Sequence, residues 1–299
     1  MGFTGVKERN LKWMLILPSV VILLFLVFYP LLWFLGLSFY EYSTMIITHP
    51  KFIGLQNYFE ILNDPTIWHN FKVTAYFLAI ALPLEFLLGF GIALLLYEEF
   101  RGRRIVLTVL LIPMMLAPIA VGVFYRFIYD STFGIFTYIL SQVGVKQFEW
   151  YTYKWVIPCV ALVDVWQWTP FMMLILLAGL MAVPQYLYEA ANIDRAGWMM
   201  KFRYITLPII KPLIGIAVLF RTMDILKVFD TVFILTDGGP GNASELISFR
   251  IYREAFQYFH TGKASALSYI FLVIIIVLTN IYLRFLTRRP AEARVTREV

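Results

Sequence analysis

A cluster of polar and aromatic residues inside an apolar stretch offers the clearest chemistry in this 299-residue chain. Its members recur at i, i+3, i+4 and i+7 and would therefore share one helix face: Asp164, Gln167, Trp168 and Phe171. Carboxylate and amide groups form hydrogen bonds with hydroxyls, and an aromatic ring stacks on the apolar face of a pyranose. We therefore predict that this face binds a polyhydroxylated solute. In the alternative interpretation Trp168 faces lipid and Asp164 only pairs with a neighbouring helix.

A second set of charged residues lies in an apolar stretch nearer the C-terminus. The charges alternate in sign at steps of three residues: Arg221, Asp224, Lys227 and Asp230. An unpaired charge at membrane depth costs more than about 2.5 kcal/mol on insertion scales, so we expect each residue to pair with the next along a helix. Two interpretations stay open. Either the four charges satisfy one another, or Arg221 and Asp224 bind hydroxyls or an anionic substituent of the solute.

The sequence carries no pattern typical of catalysis or of a metal centre. It lacks the Walker A, GxSxG and HExxH motifs, and its three histidines are far apart. The single cysteine, Cys159, excludes an internal disulfide framework and a cysteine-based metal site. We therefore expect neither an enzyme nor a metal site, and no cofactor bound by this chain.

The composition indicates a membrane protein. The chain is 61% hydrophobic and only 15% charged, with a mean hydropathy of +0.75, which leaves too little polar surface for a soluble domain. We predict an all-α fold that forms one transmembrane domain over residues 1–299. The six predicted spans cover about 11–40, 73–97, 105–129, 155–182, 213–235 and 264–286.

Prolines and basic residues refine this prediction. Pro18 and Pro30 should kink or break the first span, and Pro113 and Pro118 interrupt the third. Lys and Arg are more frequent at the N-terminus, in 98–104, in 184–208 and in the C-terminal tail than in the other connecting segments. The positive-inside rule then places both termini in the cytoplasm. Because these residues lie beside apolar spans and form no contiguous patch, we expect no nucleic-acid partner.

The segment between the fourth and fifth predicted spans is amphipathic. It reads EAANIDRAGWMMKFRYITLP over 189–208, with carboxylates near its start, basic residues after them and apolar residues between. This pattern is typical of helices that lie on the membrane surface and present charge and a shallow apolar face to the water.

This segment resembles the EAA loop found in permease subunits of bacterial ATP-binding-cassette importers, most closely the carbohydrate-type ones. The matching residues are Glu189, Ala190, Ala191, Asp194, Ala196, Ile205, Leu207 and Pro208. Two further elements resemble the same permeases: FIGLQNY at 52–58 and GGPG at 238–241. The chain departs from the pattern at Arg195, where the family normally has glycine. The turn there is then either made by Gly197 or less tight.

The resemblance implies the partners and the localisation. It implies half of a translocation pathway in the bacterial inner membrane, a second permease subunit as partner in a heterodimer, and an extracytoplasmic solute-binding protein. An ATPase dimer would bind ATP and Mg²⁺ and dock on the cytoplasmic EAA loop, 184–208. The implied ATPase-coupling residues are Glu189, Ala190, Ala191, Asp194, Arg195 and Gly197.

The solute and two rival functions stay open at this point. A mono- or oligosaccharide, a polyol, a glycerol phosphodiester and a sugar acid all fit the sequence. An ion-driven secondary transporter would show internal repeats with paired broken helices, which we do not find. A non-transporting membrane scaffold would not need the charged fifth stretch or the EAA loop.

Overall fold

The computed structural model describes residues 8–45, 49–144 and 148–287 and is mostly helical there. The helices are α1 (Glu8–Leu37), α2 (Gln56–Asn63), α3 (Pro65–Tyr97), α4 (Arg103–Met115), α5 (Pro118–Ile128), α6 (Ile135–Gln142), α7 (Val156–Met181), α8 (Gln185–Ile193), α9 (Trp198–Lys201), α10 (Leu207–Leu226), α11 (Asp230–Leu235), α12 (Ile247–Tyr252) and α13 (Thr261–Thr287). Two π-helical turns, Phe202–Thr206 and Arg253–Gln257, precede α10 and follow α12. One antiparallel pair of two-residue strands, β1 (Tyr40–Glu41) and β2 (Lys51–Phe52), is the non-helical element among the described residues.

The contacts divide the chain into two compact units. The first unit comprises Met1–Asp64 and Ile251–Leu272, and the second comprises Pro65–Arg250 and Val273–Val299. Each unit is described here by itself. The single domain expected over 1–299 stays a prediction.

In the first unit, the FIGLQNY element fixes the chain that follows α1. Gly54 adopts a φ of +60°, which is accessible to glycine at little cost. The buried Asn57 amide then donates to the carbonyl oxygens of Ser38 (2.9 Å) and Tyr40 (3.1 Å). Tyr40 pairs with Phe52 across the two strands. The element therefore closes a turn at the end of α1 by satisfying backbone groups that the helix leaves free.

The helix α1 is continuous through both of its prolines, so a break of the first span is wrong, and a kink there stays a prediction. It is apolar on all sides, and its exposed side chains from Trp13 onward are the kind that face lipid in a membrane. A proline removes one hydrogen bond of the helix, which a membrane helix tolerates when local adjustments satisfy the freed groups.

In the second unit, α3 and α7 pack closely and α10 lies against both. A Cβ on Gly89 of α3 would lie 2.9 Å from the Cβ of Met172 on α7, so only glycine permits this approach. Met172, Leu176 and Ile210 belong to the apolar core of the unit. This core holds in place the polar side chains that the same three helices carry further along.

Four helices among the described residues are long and apolar enough to cross a membrane: Trp13–Leu37, Pro65–Tyr97, Val156–Met181 and Thr261–Arg284. A fifth crossing is counted if α4 and α5, bent by 95° at the predicted proline interruption, form one span. The continuous span expected over 213–235 is absent, because α10 starts earlier, carries Lys211, Arg221 and Asp224, and ends at Leu226. Four or five spans are thus found where six were predicted.

Candidate functional site

Three charged side chains that are far apart in sequence meet in the core of the second unit. We call Glu85 of α3, Asp164 of α7 and Arg221 of α10 the ion triad. The Arg221 guanidinium donates through Nε to Oε2 of Glu85 (2.5 Å), and through Nη2 to Oε1 of Glu85 (2.7 Å) and Oδ2 of Asp164 (2.5 Å). All three side chains are at most 2% exposed. The triad therefore joins three helices through one bidentate and one single ion pair.

The ion triad corrects the pairing expected along α10. Arg221 turns inward to the two carboxylates, while Asp224 pairs with Lys227 at 3.3 Å with both side chains substantially exposed. The chain also breaks after Leu226, so Asp230 starts a new helix and does not continue the stripe. The physical reason is burial. A guanidinium removed from water needs partners with the geometry that two fixed carboxylates supply, and a neighbour three residues away does not.

A cavity of about 280 Å³ lies beside the ion triad. Its lining comprises Pro118, Asp164, Trp168, Arg221, Asp224, Lys227, Val228, Phe229, Asp230 and Thr231. The Arg221 guanidinium lies over the Trp168 ring, 5.2 Å from its centroid. The cavity thus combines carboxylates, cations and aromatic rings in a space next to buried, hydrogen-bonded charges.

Two broken helices border this cavity. Pro118 opens α5 directly after the break that follows α4, and Lys227–Phe229 form the break between α10 and α11. The amide of Lys227 donates to the Asp224 carbonyl, and Ser248 donates its hydroxyl to the Val228 carbonyl. Irregular backbone at membrane depth is tolerated where it is buried in protein or lines a cavity. Both breaks therefore lie where the fold tolerates irregular backbone, at the wall of the cavity.

Four of the six predicted solute contacts come together in this cavity: Asp164, Trp168, Arg221 and Asp224. Gln167 and Phe171 lie outside its lining. Gln167 is buried and donates to the carbonyl of Leu116 (3.0 Å), the residue that ends α4. Phe171 is half-buried further along α7. Gln167 thus satisfies a carbonyl at a broken helix end, and its contact with a solute stays a prediction.

Several lining residues were not among the predicted contacts. Lys227 and Asp230 belong to the charged set of the fifth apolar stretch but are not among the predicted solute contacts, and Glu85 stands behind Arg221, outside the lining. Pro118 is predicted to interrupt its span, and Phe229 lies within the charged stretch, between Lys227 and Asp230. A helix break next to charged residues was the available indication of a cavity.

The EAA loop forms two short helices and a π-helical turn that run directly into α10. Arg195 adopts a φ of +54° between α8 and α9, and Gly197 is extended with a φ of −67°. The amide of Ala196 donates to the Ala191 carbonyl at 2.9 Å. The left-handed turn is therefore made by Arg195 itself, at the position where the resemblance predicted glycine. Of the two expected alternatives, a turn made by Gly197 is wrong, and a less tight turn stays a prediction.

The loop is held together internally but presents apolar side chains to solvent. The Tyr188 hydroxyl contacts Oγ1 of Thr206 at 2.7 Å, and Lys201 donates to Oδ1 of Asn192. Ile193, Trp198 and Tyr204 are nevertheless 84%, 65% and 71% exposed. Of the predicted coupling residues, Ala191 is half-buried and the others are exposed: Glu189, Ala190, Asp194, Arg195 and Gly197. Ala196, whose amide donates to the Ala191 carbonyl, is also half-buried.

The described histidines have different partners and do not come together. His69 contacts the Asn242 carbonyl at 3.3 Å, and His260 pairs with Glu254 at 3.0 Å. In the ranges that the structure describes, no group of His, Cys, Asp and Glu has the arrangement of a metal site. Lys7 and the tail arginines after Arg284 lie outside the described residues.

Comparison with known proteins gives matches along most of the chain. A family model described as "Binding-protein-dependent transport system inner membrane component" matches residues 85–291. The trehalose/maltose transport system permease protein MalF of Thermococcus litoralis is 37% identical over 282 residues, covering 93% of this chain and 94% of the relative. The trehalose transport system permease protein SugA of Mycobacterium tuberculosis is 31% identical over 280 residues, covering 93% and 89%.

Relatives with a different named solute and a solved structure also match. The sulfoquinovosyl glycerol transport system permease protein SmoG of Agrobacterium fabrum is 30% identical over 280 residues, covering 93% of this chain and 91% of the relative. A chain of the crystal structure of a bacterial alginate ABC transporter with a pentasaccharide-bound periplasmic protein has a TM-score of 0.82 at 22% identity, covering 94% of this chain and 95% of that one. At that identity the likeness shows a common fold.

Proposed function

This chain belongs to the binding-protein-dependent transport system inner membrane components, and from that membership we propose that it forms half of a pathway that imports a sugar or a related polyhydroxylated solute. It is a permease subunit of an ABC transporter and not an enzyme. The observation that carries the proposed solute class is the cavity beside the ion triad, where carboxylates and the Trp168 indole face one space. Two relatives whose names include trehalose support a sugar as the solute.

The EAA loop is proposed to dock on the ATPase subunits. Its exposed apolar side chains, Ile193, Trp198 and Tyr204, lie in a segment too polar and interrupted to cross a membrane. Exposed apolar groups rimmed by charge favour a protein partner. Glu189, Ala190 and Ala191 lie on the helix α8 that would enter the partner. Because the π-helical turn continues into α10, movement of the docked loop would be passed to the helix that carries Arg221.

The remaining partners are proposed from the family and from the sequence. A second permease subunit would complete the pathway as a heterodimer, and a solute-binding protein would deliver the sugar from outside. ATP and Mg²⁺ would be held by the ATPase dimer, because the present chain has no phosphate-binding loop.

We further propose six membrane crossings, with α10 and α11 together forming the fifth, and both termini in the cytoplasm of a bacterial cell. Single-cysteine variants in a Cys159→Ser background test this orientation with a membrane-impermeant thiol reagent on intact cells. Position 242 should be labelled and position 197 protected. Labelling of position 197 with protection of position 242 would overturn the orientation.

The coupling role is tested by charge reversal at Glu189. Glu189→Lys should leave the subunit in the membrane but reduce ATP-driven uptake of a neutral disaccharide by about tenfold or more. The matched control is Glu99→Lys, another exposed acidic residue in a basic connecting segment. Uptake at the normal rate in Glu189→Lys would remove Glu189 from the coupling residues. Failure of the chain to co-purify with an ATPase would contradict the proposed function.

The solute role is tested with the two tryptophans of α7. Trp168 lines the cavity, whereas Trp166 contacts Tyr125 and lies outside the lining. Trp168→Ala should lower uptake by about tenfold, since an aromatic stacking partner is lost, while solute-free ATP hydrolysis by the assembled complex is retained. Trp166→Ala should transport close to normally. Equal transport by both variants would remove this cavity from the pathway.

A further inference from the structure

We infer that the cavity beside the ion triad admits uncharged sugars and rejects sugars that carry a carboxylate, sulfonate or phosphate. This inference rests on the proposed function and specifies which solutes the pathway takes. The selectivity follows from the number and the pairing of the charges that line the cavity.

The buried cation of the cavity is already engaged. Arg221 is 1% exposed, holds two carboxylates at 2.5 Å, and lies over the Trp168 ring. Its guanidinium is occupied by the hydrogen bonds to the carboxyl groups of Glu85 and Asp164. An anionic solute group approaching Arg221 would therefore find this cation already paired.

The other cation is also paired, and one carboxylate is left over. Lys227 is 60% exposed and pairs with Asp224 at 3.3 Å. Asp230 is half-buried at the start of α11, and no residue in the described part of the chain forms an ion pair with it. The lining thus holds three carboxylates, those of Asp164, Asp224 and Asp230, against two cations. The lining therefore has one carboxylate more than it has cations, and a negative charge added by a solute would find no free cation.

The same arrangement suits a neutral sugar. Carboxylate oxygens accept hydrogen bonds from hydroxyl groups without needing a counter-charge, and the Trp168 ring offers a flat apolar surface beside them. Charge repulsion therefore discriminates against anionic sugars in a site whose hydrogen-bonding groups would otherwise accept both.

Direct binding to the complete transporter tests the inference without the solute-binding protein, whose own selectivity would obscure the result. The purified complex of this chain, its partner permease and the ATPase is titrated with trehalose or maltose, and with the mono-uronate of each, in which one primary alcohol is a carboxylate. Saturation-transfer NMR measures the Kd. We expect the uronate to bind about tenfold more weakly than the neutral sugar, or worse.

The variant Asp230→Asn separates charge from shape. It removes the unpaired carboxylate while retaining size, so the ratio of the uronate Kd to the neutral-sugar Kd should fall by about threefold or more, whatever the change in neutral-sugar binding itself. Glu99→Gln, which removes a charge from an exposed connecting segment, should leave the ratio unchanged. Equal Kd values for a sugar and its uronate, or an unchanged ratio in Asp230→Asn, would overturn the inference and leave the proposed function standing. Binding of none of the four sugars would overturn the proposed sugar pathway itself.

Discussion

The ion triad and the EAA loop depart from the usual distribution of residues in opposite directions. In the triad, charged side chains are at most 2% exposed, whereas in the loop Ile193 is 84% exposed and Trp198 is 65% exposed. Buried charge and exposed apolar surface are the two informative exceptions in a folded protein. Both regions belong to the second unit, and α10 connects them.

The two regions differ in what satisfies them: groups of the same chain in the triad, and another molecule in the loop. The charges of the triad are satisfied inside the chain by three hydrogen bonds between helices. The apolar residues of the loop are not covered by any described residue to a comparable extent, so their burial requires another molecule. We therefore expect the triad to stabilise the subunit itself, and we propose that the loop docks on another subunit of the transporter.

Removing the central cation should have the largest effect on stability. Arg221→Met leaves Glu85 and Asp164 buried without their partner, which costs on the order of 3–5 kcal/mol. The matched change at an exposed pair, Lys227→Met, should cost less than about 1 kcal/mol. Thermal unfolding of the purified complex and the amount of subunit in the membrane measure the difference.

A neutralised triad sharpens this test. Adding Glu85→Gln and Asp164→Asn to Arg221→Met removes the uncompensated charges and should recover most of the lost thermal stability. If Arg221→Met were as stable as Lys227→Met, the triad would have no role in holding the three helices together.

The second prediction compares packing in the two regions with the same added side chain. A Cβ at Gly122 of α5 would lie 3.1 Å from Ile234 of α11, beside the cavity, whereas nothing lies within 4 Å of a Cβ at Gly197. Gly122→Val should destabilise the protein by about 1–3 kcal/mol through overpacking. Gly197→Val should change stability by less than about 0.5 kcal/mol, since its backbone is extended and a surface site tolerates substitution. Equal melting temperatures of the two variants would contradict the close packing of α5 on α11.

The smallest expected effect is local to the EAA loop. Arg195 holds a left-handed backbone conformation that costs a non-glycine residue about 1–2 kcal/mol. Arg195→Gly relieves this strain but loses about 0.5–1 kcal/mol of chain entropy, so we expect a gain of up to about 1 kcal/mol in thermal stability. Arg195→Val should be less stable than the parent chain. A glycine variant clearly less stable than the parent would show that the Arg195 side chain itself supports the turn.

Local regularities of the sequence predicted much of the fold. The fourth span, expected over 155–182, is the helix Val156–Met181, because a mostly apolar run between polar segments defines both of its ends. The break of the third span falls directly before Pro118, as predicted, whereas Pro113 lies inside α4 and does not interrupt it. Helix periodicity also placed Asp164 and Trp168 on one face, and both line the cavity.

Periodicity failed where position along the helix or a distant partner mattered. Phe171 shares the face of Asp164 but lies seven residues on, about 10 Å along the helix, beyond the cavity lining. Gln167 donates instead to the carbonyl of Leu116, which the helix break after α4 leaves free and which lies 51 residues away in sequence. A helical pattern gives the direction of a side chain around the axis and carries no information on what the fold brings opposite it.

The sequence by itself places Asp164 and Arg221 in apolar stretches, and Glu85 falls within the predicted span 73–97. A charge in such surroundings requires a partner. Only the tertiary structure decided the partners. Arg221 lies 136 residues from Glu85 and 57 from Asp164, and it reaches them because α3, α7 and α10 pack around a common core. The nearby Asp224 instead pairs with Lys227, because a buried guanidinium is stabilised by carboxylates that packing has already placed and desolvated.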